Sequence, residues 1–505
     1  MTNYIPEQRN LIPQQSSDIN RRQLIALETF TVFILSALTF WSVRPLVEEW
    51  DMFVAFNSHG LGFLTEFLPS TAMRPLHFTA FALQWIIGNG QPFGVAAATA
   101  VILVARYLVT RWAVSPLLVG YERWVISTLA AALVLWPGVW LGRYGPAQLS
   151  AVLFFAALGF AIRLTHRWSI TMAIGCAASV LLLLSMYQGL VLCLLAIPLF
   201  SFMWRNSDNS LLTNLQQKIF NALRLWITLG AGFALYGAYC LFISSKVGSG
   251  GYEAALAGDG ARLLTIVGLF THIKSAFFTT FGNESLLLPL FLSIVLFLSR
   301  DSISDLPTLK SKISTFALVS SPVILLPFFS LIYVSALHIN DIDRVLYPVS
   351  IAFVLVCLTI LSHFRKNQTI KSSASNISFA VIILLLASTS IAFGTRQYGE
   401  IQKSVLTQAL AASEKNKSTS IVIRDTTGVL GDVYTLYVGA LSSAMSALGK
   451  SINGNVCTPL SVDRIHPVAQ RFPVVSTPRC EEMPQAPIPP LVLTARWDNG
   501  NIVVE

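Results

Sequence analysis

The chain has 505 residues, of which 54% are hydrophobic and only 12% are charged, and its mean hydropathy is +0.64. A soluble domain carries roughly twice this share of charged residues, so the composition excludes a disordered chain and an ordinary cytosolic enzyme. The net charge of +9 comes from Lys and Arg residues that are scattered between long apolar runs. This distribution is typical of a polytopic membrane protein, so we expect a membrane location and no nucleic-acid partner.

Long apolar runs predict about eleven membrane-spanning helices, because a span needs roughly 20 mostly apolar residues. The predicted helices begin near Leu27, Phe93, Trp124, Leu149, Ile170, Leu190, Leu225, Leu286, Phe316, Val345 and Phe379. The first run, residues 24–47, follows Arg21 and Arg22 and has no small-residue cleavage site behind it, which predicts a retained span and not a signal peptide. Two shorter apolar segments, residues 75–88 and 263–281, are predicted to lie along the membrane surface.

Lys and Arg residues in the connections predict the orientation, because cytoplasmic loops are enriched in them. With the N-terminus inside, the cytoplasmic connections contain Arg106, Arg111, Arg123, Arg163, Arg167, Arg205, Lys218, Arg224, Arg300, Lys310, Lys312, Arg365, Lys366 and Lys371. The opposite connections contain only Arg44, Arg74, Arg143, Lys246, Arg262, Lys274 and Arg344. We therefore predict a cytoplasmic tail (residues 1–23), a membrane body (24–394) with outer loops at 45–92 and 246–284, and an extracytoplasmic C-terminal domain (395–505).

The C-terminal segment, residues 395–505, differs in composition from the membrane body. It is rich in Lys, Asp, Ser and Pro, and it contains strand-like runs at 420–424 and 491–496 and a helix-like stretch at 433–448. These patterns predict a small α/β domain. The predicted fold class is therefore an all-α polytopic membrane protein with a small C-terminal α/β domain outside the cytoplasm.

Cysteine positions agree with this topology. Cys457 and Cys480 are the only pair in the C-terminal segment, and we predict a disulfide between them because an exported segment is oxidised. The remaining cysteines fall singly inside apolar helices, where cysteine acts as a small hydrophobic residue: Cys176, Cys193, Cys240 and Cys357. No cysteine or histidine spacing indicates a zinc site.

Three carboxylates in four residues, Glu48, Glu49 and Asp51, follow the first predicted span and flank Trp50. One interpretation is an interfacial anchor, in which Trp50 lies at the level of the lipid headgroups and the acids are solvated. The other is a catalytic carboxylate whose pKa is raised by its neighbours and by partial desolvation, so that it takes a proton from a hydroxyl. The sequence leaves both interpretations open.

Basic residues lie at the start of two helices on the predicted outer side. The sequence Arg-Pro-Leu-His, from Arg74 to His77, opens the predicted surface helix, where a helix N-terminus also favours anions. Arg344 opens a later helix on the outer side. It either forms an ion pair with Asp341 or Asp343, or it binds a lipid phosphate through its forked guanidinium.

Residues 24–112 contain the first helix, the acidic cluster, the Arg-Pro helix and the next span. This arrangement resembles the GT-C superfamily of integral-membrane glycosyltransferases, and within it the bacterial enzymes that glycosylate O-antigen and related envelope glycans. The resemblance implies a sugar donor, such as a hexose on a polyprenyl phosphate, an envelope glycan as acceptor, and a location among the lipids of a bacterial inner membrane. It also implies a flippase and a polyprenyl-phosphate glycosyltransferase that act upstream.

In this family an acid just after the first span acts as base on the acceptor, and basic residues hold the donor phosphate. The matching positions are Glu48, Glu49 and Asp51 for the base and Arg74 for the phosphate, and Arg344 matches only by its position on the outer face. His77, in the same segment as Arg74, is a further candidate for the donor phosphate. The family's usual acidic pair is replaced here by Glu-Glu-Trp-Asp, so the sequence does not decide which acid is the base. The expected transfer inverts the configuration of the anomeric carbon. The resemblance implies no definite cofactor, and binding of a divalent cation by the carboxylates stays open as an alternative.

Two other functions stay open on the sequence. A glycan polymerase is also a membrane transferase that acts on the outer face. A lipid or solute transporter is the non-catalytic alternative, but transporters carry ionisable residues near the membrane centre and internal repeats, whereas the predicted helix centres are almost uncharged. If the acidic cluster is only an anchor, we expect the site in the second outer loop, at 253–284.

Overall fold

The structure is a computed structural model that describes residues 15–46, 48–66, 71–133, 136–202, 211–247, 266–282, 287–304, 307–332, 342–364, 370–430, 436, 440–463, 478–483 and 489–505. The helices are α1 (Gln15–Ser42), α2 (Glu48–His59), α3 (Thr79–Gly88), α4 (Gly94–Val114), α5 (Gly120–Ala132), α6 (Gly145–His166), α7 (Ile170–Met186), α8 (Val191–Ser201), α9 (Leu211–Val247), α10 (Ile266–Phe281), α11 (Leu287–Ser304), α12 (Leu309–Ile324), α13 (Ile342–Phe364), α14 (Ile370–Asn416) and α15 (Ala440–Ala447). The strands are β1 (Ser420–Asp425), β2 (Asn453–Cys457), β3 (Leu491–Asp498) and β4 (Asn501–Val504).

Six stretches of the described chain are helical, long and apolar enough to cross a membrane. They are Arg22–Ser42, Gly94–Val114, Gly142–His166, Lys218–Lys246, Leu309–Leu331 and Arg344–Ser362. Shorter apolar helices lie at Thr79–Gly88, Ile170–Met186 and Gln188–Ser201. The helices fit a polytopic membrane protein, but the prediction of about eleven full-length spans is wrong by this measure of length and composition.

Breaks inside apolar runs account for part of this difference. Helix α5 has 13 residues and ends where Leu133 adopts the left-handed conformation, with φ 37° and ψ 53°. Between α7 and α8 the chain is extended at Tyr187 and passes through the short 3₁₀ helix Gln188–Leu190, so α8 has only 11 residues. Apolar residues flank both breaks, so the apolar run in the sequence continues beyond the point at which the helix ends.

The sequence analysis placed Arg106 in a cytoplasmic connection, and this prediction is wrong. Arg106 lies within α4 and its side chain has no exposed surface, so the expectation of almost uncharged helix centres is wrong at this position. Arg111, one turn further along α4, pairs with Glu28 of α1 at 2.6 Å between Nε and Oε1. Both arginines therefore bind neighbouring helices.

Helix α13 is the centre of the bundle, since every residue from Val345 to Ser362 is buried. Tyr347 contacts Ser150 of α6, with 2.6 Å between the two hydroxyl oxygens. Cys193 of α8 donates through Sγ to the Pro348 carbonyl at 3.4 Å. The packing of α13 against several helices fixes its first turn, which carries Arg344.

The segment between α1 and α4 folds into a compact helical layer. Phe56 of α2, Phe63 of the 3₁₀ helix Gly60–Thr65 and Phe81 of α3 are buried together. Trp85 donates from Nε1 to Asn57 Oδ1 at 2.8 Å, which ties α3 to α2. Helix α3 begins at Thr79, four residues later than predicted, and residues 74–78 form turns before it.

The C-terminal domain is a four-stranded sheet in the order β2-β1-β3-β4, in which only β4 runs antiparallel. The strands predicted at 420–424 and 491–496 are confirmed as β1 and β3. Helix α14 runs without interruption through position 394, where the domain boundary was expected, and its last turns pack on the sheet through Val405, Leu406 and Ala409. The predicted helix at 433–448 is described as α15 and at Leu436, and its other residues lie outside the described ranges.

A disulfide and a buried carboxylate fix the loops of this domain. Cys457 and Cys480 form the disulfide that the sequence predicts, which joins the end of β2 to the turn at Cys480–Glu482. Asp425, buried at the end of β1, accepts hydrogen bonds from the backbone N–H groups of Thr427 at 2.9 Å and Leu430 at 3.0 Å. Asp425 is thus a structural carboxylate.

Candidate functional site

The acidic cluster lies at the start of α2, directly after α1. Glu49 has no exposed surface, and its Oε2 accepts a hydrogen bond from the Leu46 N–H at 3.0 Å. A glutamate side chain that reaches back over a helix start satisfies a backbone donor that the helix itself leaves free. Glu49 therefore fixes the turn between α1 and α2.

The second oxygen of Glu49, Oε1, lies against Gly142. A Cβ atom at position 142 would overlap with Glu49 Oε1 and with Val95 Cγ1, so any other residue here would displace these side chains. Gln84 of α3, itself buried, donates from Nε2 to the Gly142 carbonyl at 3.0 Å. We call the space bounded by Leu46, Gln84, Val95 and Gly142 the Glu49 niche.

Trp50 and Asp51 point away from this niche. Successive helix residues are about 100° apart, so Glu49 and Asp51 leave α2 in nearly opposite directions. Trp50 is 5% exposed and packs in the apolar core of the C-terminal domain, where it is no anchor at headgroup level. Asp51 is half-buried, and its Oδ1 accepts a hydrogen bond from Ser443 of α15.

The three acids therefore do not act as one cluster. Glu49 belongs to the membrane body, and Asp51 lies at the seam between α2 and the C-terminal domain. The side chain of Glu48 lies outside the described residues. The described residues contain no group of three or more His, Cys, Asp or Glu side chains that could hold a metal, and Glu49 and Asp51 do not converge on one position.

Arg74 lies in the turns before α3 and not at a helix N-terminus, which corrects the placement that the sequence predicted. These turns are held by α9, since the Tyr236 and Tyr239 hydroxyls donate to the carbonyls of Met73 and Ala72, each at 2.8 Å. His77 is half-buried, with its ring 5.5 Å from that of the neighbouring Phe78. The loop that carries both basic residues is thus fixed in place.

Arg344 is half-buried at the start of α13. One turn later Tyr347 is fully buried and donates to the Ala147 carbonyl at 2.5 Å. The alternative ion pairs of Arg344, with Asp341 or the side chain of Asp343, lie outside the described residues. Residues 253–265 and 283–284 of the second candidate loop lie outside them too, and the rest of that loop is α10 with Gly282.

An aromatic group around Tyr347 connects the Glu49 niche, the Arg74 loop and the first turn of α13. The Tyr347 ring packs on Trp136 at 4.5 Å and on Tyr187 at 5.7 Å, and Trp136 packs on Tyr144 at 5.5 Å. Tyr144 follows Gly142 of the Glu49 niche by two residues.

Tyr187 precedes Gln188, which donates to the Tyr236 hydroxyl at 2.6 Å under the Arg74 loop. These contacts link the segments that carry Glu49, Arg74 and Arg344, and we call this part of the bundle the domain end.

Residues 136–144, between α5 and α6, are irregular backbone inside the bundle. The 3₁₀ turns Pro137–Trp140 and Gly142–Tyr144 leave carbonyls without partners in a helix. Gln148 donates from Nε2 to the carbonyls of Gly138, Val139 and Leu141 at 3.0, 3.0 and 3.1 Å. Buried backbone groups need such partners where neither water nor a regular helix supplies them.

The sequence analysis missed Gln84, Gln148 and Gly142, which build this site. The available signal was weak: each glutamine is a single polar residue in an apolar run, beside a segment rich in glycine. The Tyr187-Gln188 turn, which connects the Arg74 loop to Tyr347, was not among the candidate site residues either.

In comparisons with known proteins, the chain matches no family model and no curated protein. The resemblance to the GT-C superfamily therefore rests on the spacing of the first helix, the acids and Arg74. An assignment of function rests in turn on the geometry of the domain end.

Proposed function

We propose that the chain is a membrane glycosyltransferase that moves a sugar, such as a hexose, from a polyprenyl-phosphate carrier to a cell-envelope glycan. The observation that carries this proposal is the position of Asp51, a half-buried acid on a helix held between the membrane body and the C-terminal domain. Arg74 and Arg344 supply positive charge at the same end of the bundle. The motif positions of the GT-C superfamily support the same reaction.

Asp51 is the preferred base among the acids that the structure describes. A general base must come within hydrogen-bond distance of the proton that it removes. Glu49 has no exposed surface and already accepts the Leu46 N–H, whereas Asp51 is only half-buried at the seam between α2 and the C-terminal domain. This seam is where the proposal places the acceptor glycan. Ser443 orients the Asp51 carboxylate through its hydroxyl.

In the proposed reaction the acceptor hydroxyl gives its proton to Asp51, and its oxygen attacks the anomeric carbon of the donor sugar. The bond between that carbon and the phosphate oxygen breaks, and its electron pair stays on the phosphate. Arg344, Arg74 and His77 stabilise the charge of the leaving phosphate. A single displacement of this kind inverts the anomeric carbon.

The domain end lies outside the cytoplasm in this proposal, and the membrane is a bacterial inner membrane. The excess of Lys and Arg in the opposite connections supports this orientation, and so does the Cys457–Cys480 disulfide, because disulfides persist in oxidising compartments. Donor supply then requires a polyprenyl-phosphate glycosyltransferase and a flippase upstream. Because Glu49 and Asp51 diverge, we derive no step through a divalent cation.

Incubation of the purified protein with radiolabelled polyprenyl-phosphate glucose and isolated envelope glycan tests this proposal. We expect label in the glycan, lost in Asp51→Asn. A ladder of products that grows by whole glycan repeats would indicate a polymerase instead. No transfer from any polyprenyl-phosphate hexose, with a folded protein, would overturn the proposal.

A transporter is the second candidate function, because two described features are typical of that class. Arg106 is buried within a span, and α5 is a broken helix. Reconstitution of the protein in liposomes separates the two functions, since a transporter moves the lipid-linked sugar between leaflets without breaking its bond to phosphate.

A further inference from the structure

Arg106 has an unusual set of partners for a charged residue in a membrane-spanning helix. It lies within α4 with no exposed surface, and its Nη2 donates to the Ala131 carbonyl at the end of α5. Its Nε and Nη1 have no hydrogen-bond partner among the residues that the structure describes. Burial of a guanidinium without a carboxylate is costly, so a specific interaction must hold it there.

The C-terminal end of α5 provides that interaction. The last carbonyls of a helix lack partners in the helix and carry partial negative charge, which a cation stabilises. Here the helix ends inside the bundle, since Leu133 is 1% exposed. Arg106 therefore brings both a donor and a positive charge to a helix end that water does not reach.

The conformation of Leu133 indicates that the sequence alone does not favour a helix end at this point. Helices commonly end on a left-handed residue, but that residue is usually glycine, because a side chain crowds the backbone there. Leu133 adopts this left-handed conformation, with φ 37°, although it carries a side chain. The Arg106–Ala131 hydrogen bond is then the contact that selects where α5 stops.

The segment that follows carries two contacts of the site. The Trp136 N–H donates to the Leu133 carbonyl at 2.7 Å, and the Trp136 ring supports Tyr347, one turn from Arg344. Gly142, further along, closes the Glu49 niche. A shift in the end of α5 would therefore move Trp136 and Gly142.

We propose that Arg106 is a positioning residue that fixes the C-terminal end of α5 and, through it, residues 136–144 beneath Tyr347 and Glu49. The placement of this segment stands on the contacts above, and only its effect on turnover rests on the proposed function. Arg106 touches no substrate in this account.

Hydrogen–deuterium exchange of the full-length protein in detergent tests the placement without any knowledge of the reaction. In Arg106→Met we expect the amides of residues 133–144 to exchange at least about tenfold faster, because the end of α5 loses its donor and its charge. The amides of α13 and of the C-terminal domain should stay within about twofold of wild type. Thr110→Val is the matched control, since the one hydrogen bond of this buried side chain within the described residues goes to the Arg106 carbonyl of its own helix.

Arg106→Lys is the second variant, and it decides the question if Arg106→Met does not fold. Lysine keeps a charge and a donor, so it should restore most of the protection of residues 133–144. If transfer is measurable, Arg106→Lys should also keep the wild-type KM for the donor, whereas Arg106→Met should raise it. Equal exchange of residues 133–144 in wild type and in every folded Arg106 variant, or an equal increase in all helices, would overturn the proposal. Absence of transfer by the wild type would instead count against the proposed function alone.

Discussion

Ser443 of α15 donates a hydrogen bond to Asp51 of α2, and this bond joins the C-terminal domain to the helix that follows the first span. Trp50, the neighbour of Asp51, is buried in the core of the same domain. The opposite side of α2 presents Glu49 to Gly142 in the membrane body. Helix α2 is therefore held from two sides, and its acids have different surroundings.

The first prediction concerns Trp50. Truncation of a buried tryptophan costs about 3–5 kcal/mol, so Trp50→Ala should loosen the C-terminal domain from α2. Limited proteolysis of the full-length protein in detergent should then release the domain at least about tenfold faster, in line with local opening. Trp497→Ala is the control, because Trp497 is 48% exposed on β3. Equal proteolysis of the two variants would show that Trp50 does not hold the domain.

The second prediction concerns Gly142. The methyl group of Gly142→Ala overlaps with Glu49 Oε1 and Val95 Cγ1, and overpacking of this kind costs about 1–3 kcal/mol. The melting temperature should fall, and Val95→Ala in the same chain should restore part of it. Gly230→Ala in α9, where an added Cβ meets nothing within 4 Å, should not lower it. An unchanged melting temperature for Gly142→Ala would contradict the described packing of the niche.

The third prediction concerns Cys457 and Cys480, which are separated by 23 residues in sequence. Closure of a loop of this size stabilises a domain by roughly 3 kcal/mol, so Cys457→Ser with Cys480→Ser should make the C-terminal domain more sensitive to urea. Peptide mass mapping without reduction should find the two cysteines in one linked species. Both thiols free in protein isolated from its membrane would argue against the bond and against an oxidising compartment.

The fourth prediction concerns Arg344. Arg344→Lys keeps the positive charge but loses the forked donors that bind phosphate in pairs, so the KM for a polyprenyl-phosphate sugar should rise about tenfold. Expression should not change. Arg496→Lys, which alters an exposed ion pair with Glu505, is the control and should leave the KM unaltered. An unchanged KM in Arg344→Lys would remove Arg344 from the donor site.

Local sequence patterns predicted the parts of the fold that depend on short-range physics. Short runs of Ile, Val and Leu predicted β1 and β3, and the position of the only cysteine pair in the C-terminal segment predicted the Cys457–Cys480 disulfide. Apolar runs predicted a polytopic membrane protein. They did not predict where helices stop, because the break at Leu133 lies among apolar residues and depends on Arg106 from another helix.

The candidate site shows the same limit. The sequence indicated Glu49 and Asp51 as a single cluster, since they are two residues apart. Their separation into different surroundings depends on Gly142 and Ser443, which are distant in sequence. No local pattern shows such contacts, so the sequence did not distinguish a structural carboxylate from a candidate base.

The turnover of Asp51→Asn, compared with Glu49→Gln, tests the central claim most directly. The Gln amide oxygen of Glu49→Gln still accepts the Leu46 N–H, so we expect transfer within about threefold of wild type, whereas Asp51→Asn removes the base and should cost at least about 100-fold. Donor binding and protein level should be nearly the same in both variants. Transfer of labelled hexose at the wild-type rate by folded Asp51→Asn would contradict the account.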